Sequence, residues 1–172
     1  FTNDDAILNF TREVGLGDLL ETHDPTTVMY IQGRNYPLDT PMRLLAFPHL
    51  SLWNRLRTGA VLGYLKYHPR PPWRDFDRLV ADQWLASKMG QAGYETLWQP
   101  MLQGKFDRHY SDVNLAWFWA RIYKRTKNLM YYRGGFQAFV DGVAAQLSKR
   151  SVNVQIGTPV RSIRPHPEGG YT

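Results

Sequence analysis

The chain has 172 residues, 43% of them hydrophobic and 14% aromatic, a composition that is typical of folded proteins and excludes intrinsic disorder. No apolar run approaches the roughly 20 residues that a membrane-spanning helix needs, and the lack of cysteine excludes disulfides, thiol nucleophiles and cysteine-ligated zinc, which predicts a cytoplasmic setting. The net charge of +6 is uneven, because residues 1–25 contain six acids and one arginine, whereas basic residues concentrate at 55–78 and 121–133.

A helix and a hairpin are predicted first. Asn3 is placed to cap a helix over residues 4–14 that ends at Gly15, since apolar side chains recur at helical spacing between them. Residues 26–38 are rich in β-branched and aromatic side chains around a short polar turn, which predicts a β-hairpin. Pro37 has no N–H to donate, so that the second strand is expected to be short or at an edge.

From Ser51 onwards the spacing of the apolar residues becomes helical. Ser51 itself is placed to cap a long helix. The run Pro69-Arg70-Pro71-Pro72 ends this helix. The apolar stripe predicted for it consists of Trp53, Leu56, Ala60, Tyr64 and Tyr67.

Three further helices follow in the middle of the chain. One covers residues 75–89 and ends at Gly90. The next, over 94–102, is expected to kink at Pro100 or to end its regular part there. Ser111 is placed to cap the third, whose stripe consists of Leu115, Phe118, Trp119 and Ile122.

The last part of the chain changes from helix to strand. An amphipathic helix covers 135–149, and residues 152–156 and 160–163 then alternate between apolar and polar side chains, which predicts two short strands. The fold class is therefore α+β and predominantly helical, with a small hairpin before the helices and short strands after them.

A search for catalytic chemistry finds little. The five histidines are scattered without the spacing of a metal site, and a P-loop and a Gly-x-Ser-x-Gly motif are missing from the 172 residues. The pairs Asp4-Asp5 and Asp75 with Asp77 are better explained as first-turn residues of helices, so no catalytic residue is assigned. Gly134 and Gly135 precede the helix at 135–149, a position where free N–H groups favour an anion such as phosphate. A tight loop packed against a neighbouring element is the structural alternative for these glycines.

Basic and aromatic residues alternate within 121–133. Such a pattern is compatible with a helical module that binds nucleic acid or an anionic surface. It fits better a solvated basic face, or a surface that docks an acidic partner domain or anionic lipid headgroups, and no nucleic-acid partner is expected.

The order of several motifs resembles the middle of the flavin-containing amine oxidases, the superfamily that includes protoporphyrinogen oxidase and phytoene desaturase. The resemblance covers nearly the whole chain, and its more specific part is the Trp-x-Pro-Met-Leu-x-Gly segment at 98–104, followed by the double glycine, its helix and a Pro-Val-x-x-Ile motif. The segments that carry it are Gly15-Leu16-Gly17, the hairpin residues 30–38, Gln83-Trp84-Leu85, residues 93–106, Gly134-Gly135-Phe136-Gln137 and Pro159-Val160-x-x-Ile163.

The resemblance implies that residues 1–128 form a substrate-binding domain and residues 129–172 form part of an FAD-binding domain. Gly134, Gly135 and Val160 are then expected to contact FAD, with Val160 using its main chain near the adenine end. A pocket for a bulky apolar or flat small-molecule substrate is expected to be lined by aromatic side chains. The candidates are Trp84, Trp98, Trp117, Trp119 and Tyr123.

The family's Gly-x-Gly-x-x-Gly fingerprint does not occur in the 172 residues. The chain begins with Phe1 and is expected to be a central fragment of a longer oxidoreductase. The missing flavin-domain segments would be its partners, and the fragment alone is expected to bind no FAD and to be inactive.

Overall fold

A computed structural model describes residues 1–68 and 73–171 and divides them into two compact units. The first unit comprises Phe1–Asn3 and Thr22–Leu129, and the second comprises Asp4–Glu21 and the chain from Met130 onwards. The predicted helix end at Pro69-Arg70-Pro71-Pro72 lies outside the described residues. The predominantly helical α+β class is confirmed.

Within the described residues the first unit contains seven α-helices. They are α2 (Pro41–Leu45), α3 (Leu52–Tyr67), α4 (Trp73–Asp77), α5 (Ala81–Met89), α6 (Gln91–Leu97), α7 (Gln99–Phe106) and α8 (Leu115–Tyr123). A 3-10 helix, Asp107–Asp112, precedes α8. None of the described helices is long and apolar enough to cross a membrane.

The strands of the described residues form two-stranded sheets. The chain order is β1 (Leu20–His23), β2 (Val28–Ile31), β3 (Arg34–Pro37) and β4 (Leu129–Tyr132), with β1 beside β4 and β2 beside β3.

The predicted hairpin is confirmed. β2 and β3 pair antiparallel with Val28 opposite Pro37 and Ile31 opposite Arg34. The turn between them places Gln32 and Gly33 at φ +49° and +80°, the left-handed conformation that suits the right-handed twist of a hairpin. Pro37 lies in a two-stranded sheet, where its missing N–H costs little.

The core of the first unit is a layer of helices around fully buried leucines and aromatics. Leu65 of α3, Leu85 of α5 and Leu115 of α8 have no exposed surface, and Phe118 is 1% exposed. Burying each such side chain contributes roughly 2 kcal/mol. A second cluster, around Leu44, Phe47, Leu50 and Leu97, packs against the inner side of the hairpin.

The apolar stripe predicted for α3 lies on the exposed side of that helix. Ser51 caps α3 as predicted, with its hydroxyl accepting a hydrogen bond from the Asn54 N–H. However, Thr58 and Leu65 are the buried residues of the helix. The helix has apolar side chains on both sides, so that periodicity identified the outer stripe instead of the inner one.

The predicted helix at 75–89 is two helices, α4 and α5. The backbone between them pairs with the start of α8, since Ala81 N–H donates to Val113 C=O at 2.8 Å and Leu115 N–H donates to Leu79 C=O at 2.7 Å. Val80 and Asn114 form an isolated antiparallel bridge there. These long-range hydrogen bonds replace the helical ones and end α4.

The predicted helix break at Pro100 is confirmed, whereas two of the predicted helix caps are wrong. The break at Pro100 is confirmed, because α6 ends at Leu97 and the proline lies in the first turn of α7. Ser111 does not cap α8, since Asn114 accepts the hydrogen bond from the Trp117 N–H instead. Asp4 and not Asn3 precedes α1 (Asp5–Glu13), without a side-chain cap.

The second unit consists of α1, the 3-10 helix Gly17–Leu19, parts of β1 and β4, and α9 (Gly135–Lys149), which has the predicted bounds. The two strands predicted after α9 do not form. Residues 152–163 lie outside any helix or strand, and the only pairing described beyond α9 is a bridge between Pro165 and Tyr171. No described strand pairs with them, and a single strand without a partner is unstable.

The contact between α3 and α6 gives a test of the fold. A methyl group on Gly93 would lie 3.0 Å from Thr58 Oγ1, and Thr58 is fully buried with a stiff β-branched side chain. We expect Gly93→Ala to lower the free energy of unfolding by roughly 1–3 kcal/mol because the core is overpacked. Urea denaturation followed by circular dichroism measures this change.

Gly104→Ala is the matched control, since a methyl group there meets no atom within 4 Å. This variant should be stabilised by up to about 1 kcal/mol through helix propensity. Equal stabilisation of both variants would contradict the tight contact between α3 and α6, and Thr58→Ala should partly rescue Gly93→Ala.

Candidate functional site

The double glycine forms a left-handed turn at the start of α9. Gly134 and Gly135 have φ angles of +82° and +81°, which favour glycine at both positions. A methyl group on Gly134 would lie 3.0 Å from Ala138 Cβ, whereas one on Gly135 would meet no atom within 4 Å. No side chain caps α9, so the N–H groups of its first turn are available to an anion.

Tyr132 anchors the turn from the preceding strand. Its hydroxyl and that of Thr11 on α1 form a buried hydrogen bond of 2.9 Å. Its ring stacks on Phe139 of α9, with centroids 4.5 Å apart and an angle of 17°. Tyr132 therefore joins α1 to α9 immediately before the glycines.

Arg133 holds the same turn through polar contacts. Its N–H donates to Leu19 C=O at 2.7 Å, its Nε donates to Glu21 at 2.9 Å, and its Nη2 donates to Asp18 C=O at 2.9 Å. Sequence reasoning gave no role to Thr11, and it placed Tyr132 and Arg133 in the basic and aromatic region 121–133 without predicting that they fix the turn. The available signal was the position of Tyr132-Arg133 directly before the double glycine.

Val160 belongs to no helix or strand. It is 78% exposed and belongs to a segment without helix or strand. The strand predicted around Val160 is therefore not formed in the structure. The FAD contact assigned to the Val160 main chain stays a prediction.

The proposed pocket residues lie in the first unit, half-buried against the helical core, except that Tyr123 is 37% exposed. Trp98 meets Phe118 edge-on at 4.9 Å, and the rings of Trp119 and Tyr123 lie 5.0 Å apart. Trp84 contacts Phe76 at 6.1 Å between centroids. This packing places the four tryptophans against the core of the first unit, and their role as pocket residues stays a prediction.

Trp117 is enclosed by other side chains. Its ring meets Phe106 edge-on at 4.8 Å, and Lys105 and Arg121 lie 5.8 and 5.4 Å from its centre. Cations at these distances are attracted to the face of an indole ring.

Two indole N–H groups stand out among these aromatics. Nε1 of Trp98 and Nε1 of Trp119 are buried, and neither has a hydrogen-bond partner in the described part of the chain. Buried donors normally bind a protein acceptor or an ordered water. These two N–H groups are thus available to a water or to a polar atom of a bound molecule.

Basic side chains of α3 bind the carboxyl ends of other helices. Arg57 donates to Ser87 C=O at 2.9 Å and to Lys88 C=O at 3.2 Å, at the end of α5. Lys66 donates to Tyr123 C=O at 3.0 Å, at the end of α8, where burial and the nearby Arg125 lower its pKa. Cations there also complement the negative end of the helix dipole.

Four of the five basic residues of 121–133, all except Lys124, make contacts described here. Arg125 donates to Thr27 Oγ1 at 2.7 Å, and Lys127 forms an ion pair with Asp24 at 2.7 Å, which raises the lysine pKa. Arg121 lies over Trp117, and Arg133 pairs with Glu21. Asp24 and Glu21 come from the acidic first segment of the chain. The structure gives the nucleic-acid alternative no support.

Potential ligands for a metal ion do not cluster. No group of three or more histidine, aspartate or glutamate side chains with suitable geometry occurs within residues 1–68 and 73–171.

The chain matches the family of flavin-containing amine oxidoreductases over residues 1–172. It therefore belongs to that family, and the resemblance seen in the motifs is confirmed. The match does not distinguish the protoporphyrinogen oxidase and phytoene desaturase branches. No curated protein matches the chain significantly.

Tyr94 predicts a pH dependence of stability. Burial, followed by the nearby Asp82 carboxylate, raises its pKa well above the ordinary value of 10.0. Above pH 10 the unfolded chain loses this proton while the folded chain keeps it, so stability falls as the pH rises. We expect the free energy of unfolding to fall by about 1.4 kcal/mol per pH unit above pH 10. The Tyr94→Phe variant should not show this fall, because it has no hydroxyl proton to lose.

Urea denaturation at several pH values above and below 10 measures the difference. Tyr30→Phe is the control, since Tyr30 is 70% exposed, and this variant should follow the wild-type pH profile. Parallel profiles for the wild type and Tyr94→Phe would contradict the assignment.

Arg133 is expected to fix the double-glycine turn. Arg133→Met removes the Glu21 pair and the bond to Asp18 C=O, and should lower stability by about 1 kcal/mol, since the pair is partly exposed. Hydrogen exchange should also become faster in the first turn of α9. Lys127→Met is the control, because its ion pair is more exposed and should leave both measurements unchanged.

Proposed function

We propose that this chain supplies the substrate-binding part and a share of the FAD-binding part of an amine oxidase-type oxidoreductase. Membership of the flavin-containing family supports the oxidoreductase and the cofactor. The assignment of residues 1–128 to substrate binding and of 129–172 to FAD binding is the finer part of the proposal. It is compatible with a change of compact unit at Leu129 and Met130, although residues 4–21 cluster with the second unit.

The observation that carries the cofactor role is the turn at Gly134 and Gly135. It fits an anionic group, because it combines left-handed glycines, a helix start without a side-chain cap and open space beside Gly135. In this proposal the two glycines and the main chain of Val160 hold part of FAD. Tyr132 and Arg133 are positioning residues, since they hold the turn through hydrogen bonds to Thr11 and Glu21.

FAD, when bound, would supply the acceptor for a hydride from a C–H bond of the substrate, as a C–N or C–C single bond becomes a double bond and a proton is released from the neighbouring atom. The chain's own contribution is to hold an apolar or flat small molecule and to exclude water from it. Trp84, Trp98, Trp117, Trp119 and Tyr123 are the proposed aromatic surface. The buried indole N–H groups of Trp98 and Trp119 support this role, since a polar substrate atom would satisfy them.

We propose further that the 172 residues do not act alone and that they work in the cytoplasm. The sequence has no Gly-x-Gly-x-x-Gly fingerprint, the motif that holds a dinucleotide pyrophosphate in this kind of domain, and it has no cysteine. Flavin-domain segments of the same polypeptide would be its partners and would supply the missing contacts.

Absorbance of the purified chain tests the proposal. We expect no visible flavin bands after purification and no oxidase activity with added FAD, because the pyrophosphate contacts are missing. A near-stoichiometric bound flavin would contradict this part.

The protein from the full reading frame should carry flavin and lose most of it in Gly134→Val, while Gly104→Ala keeps it. Equal flavin content in these variants would contradict the role of the turn.

A further inference from the structure

Helix α8 brings a tryptophan and a tyrosine ring into contact. Trp119 and Tyr123 are four residues apart on one side of the helix, and their ring centroids lie 5.0 Å apart at an angle of 31°. A tyrosine gives an electron to an oxidised tryptophan, whereas a phenylalanine is far harder to oxidise and does not. Three other tryptophans of the first unit have phenylalanine as their ring partner. They are Trp84, Trp98 and Trp117.

Trp119 is the inner member of this pair. Its ring packs against the core of the first unit, with the Phe76 centroid at 6.5 Å. Its buried Nε1 has no acceptor in the described part of the chain. An oxidised indole becomes neutral by releasing the proton of this N–H group, and no acceptor is in place to take it. Oxidised Trp119 would therefore keep a positive charge beside an apolar core, where a charge is unfavourable.

Tyr123 is the outer member of the pair. It is the last residue of α8 and is 37% exposed, so that water can accept the phenol proton when the ring loses an electron. Lys66 donates to Tyr123 C=O at 3.0 Å. A positive charge this close opposes a second one on the same residue and favours release of the phenol proton. Tyr123 is thus suited to receive the oxidation as a neutral radical.

Trp117 lies on the same helix but in a different electrostatic environment. Lys105 and Arg121 lie 5.8 and 5.4 Å from the centre of its ring. Cations over an indole oppose the removal of an electron from it, since they are attracted to its electron-rich face. Trp119 is therefore the easier of the two tryptophans to oxidise.

We propose that Trp119 and Tyr123 form an electron-transfer pair that moves an oxidation from the helical core to the surface. A one-electron oxidant such as a peroxyl radical takes an electron from Trp119 and becomes an anion. Tyr123 then gives an electron to Trp119 and its phenol proton to water. The products are intact Trp119 and a neutral tyrosyl radical, which a dissolved reductant such as ascorbate restores with one electron and one proton. The transfer needs no flavin and no substrate, so that it does not rest on the proposed function.

Transient absorption after an ultraviolet flash tests the proposal on the 172-residue chain. The flash ejects an electron from tryptophan side chains whether they are buried or exposed, and dissolved oxygen takes up that electron. We expect the absorbance of tryptophan radicals to convert into that of tyrosyl radicals in a first-order phase whose rate does not depend on protein concentration. Tyr123→Phe should lose most of the amplitude of this phase. This variant keeps the ring contact and removes only an exposed hydroxyl, so that the fold is retained.

Tyr30→Phe is the matched control, because Tyr30 is 70% exposed and makes no ring contact with a tryptophan within residues 1–68 and 73–171. It should keep the wild-type amplitude. Trp119→Phe should lose the same phase as Tyr123→Phe, and the double variant should lose no more than either single variant. Circular dichroism establishes that each variant is folded.

Three results would overturn the proposal. They are a wild-type chain without the first-order phase, a wild-type amplitude in Tyr123→Phe, and an equal loss in Tyr30→Phe and Tyr123→Phe. The comparison of these two tyrosine variants decides the matter even where Trp119→Phe does not fold.

Discussion

The first unit depends on the basic side chains that α3 directs to the carboxyl ends of its neighbours. Arg55 donates to Leu50 C=O and to Leu45 C=O at the end of α2. Arg57 and Lys66 donate to carbonyl groups at the ends of α5 and α8, respectively. The last carbonyl groups of a helix have no partner within it and carry partial negative charge. A single long helix thereby supplies donors for the ends of three shorter ones, in addition to the buried apolar contacts that hold α3, α5 and α8 together.

The second unit uses the same chemistry around a different element. Arg133 ties the double-glycine turn to Asp18, Leu19 and Glu21, so that a cation again satisfies backbone carbonyl groups. In both units most of the basic side chains of 121–133 make intramolecular contacts at the protein surface. The acidic first segment contributes to this through Asp24 and Glu21.

Sequence reasoning succeeded where local chemistry determines the structure. The hairpin follows from its turn, α3 from the Ser51 cap and α9 from the double glycine. It failed where hydrogen bonds between segments distant in sequence determine the structure. Leu79 and Ala81, on either side of Val80, bond to the start of α8, and these bonds interrupt a predicted helix. For the site, it located the turn at Gly134 but not Thr11 or Arg133, because contacts more than 100 residues apart leave no local pattern.

Helix α3 shows why periodicity does not identify the core by itself. Its sequence has apolar side chains on two opposite sides, and either side would satisfy a helical repeat. The positions of the cations distinguish them after the fact: Arg55, Arg57 and Lys66 reach inward to carbonyl groups, which requires neighbours on the side of Thr58 and Leu65. A stripe bordered by cations that already have internal partners is therefore a candidate for an external surface, and Trp53 and Tyr67 lie on it.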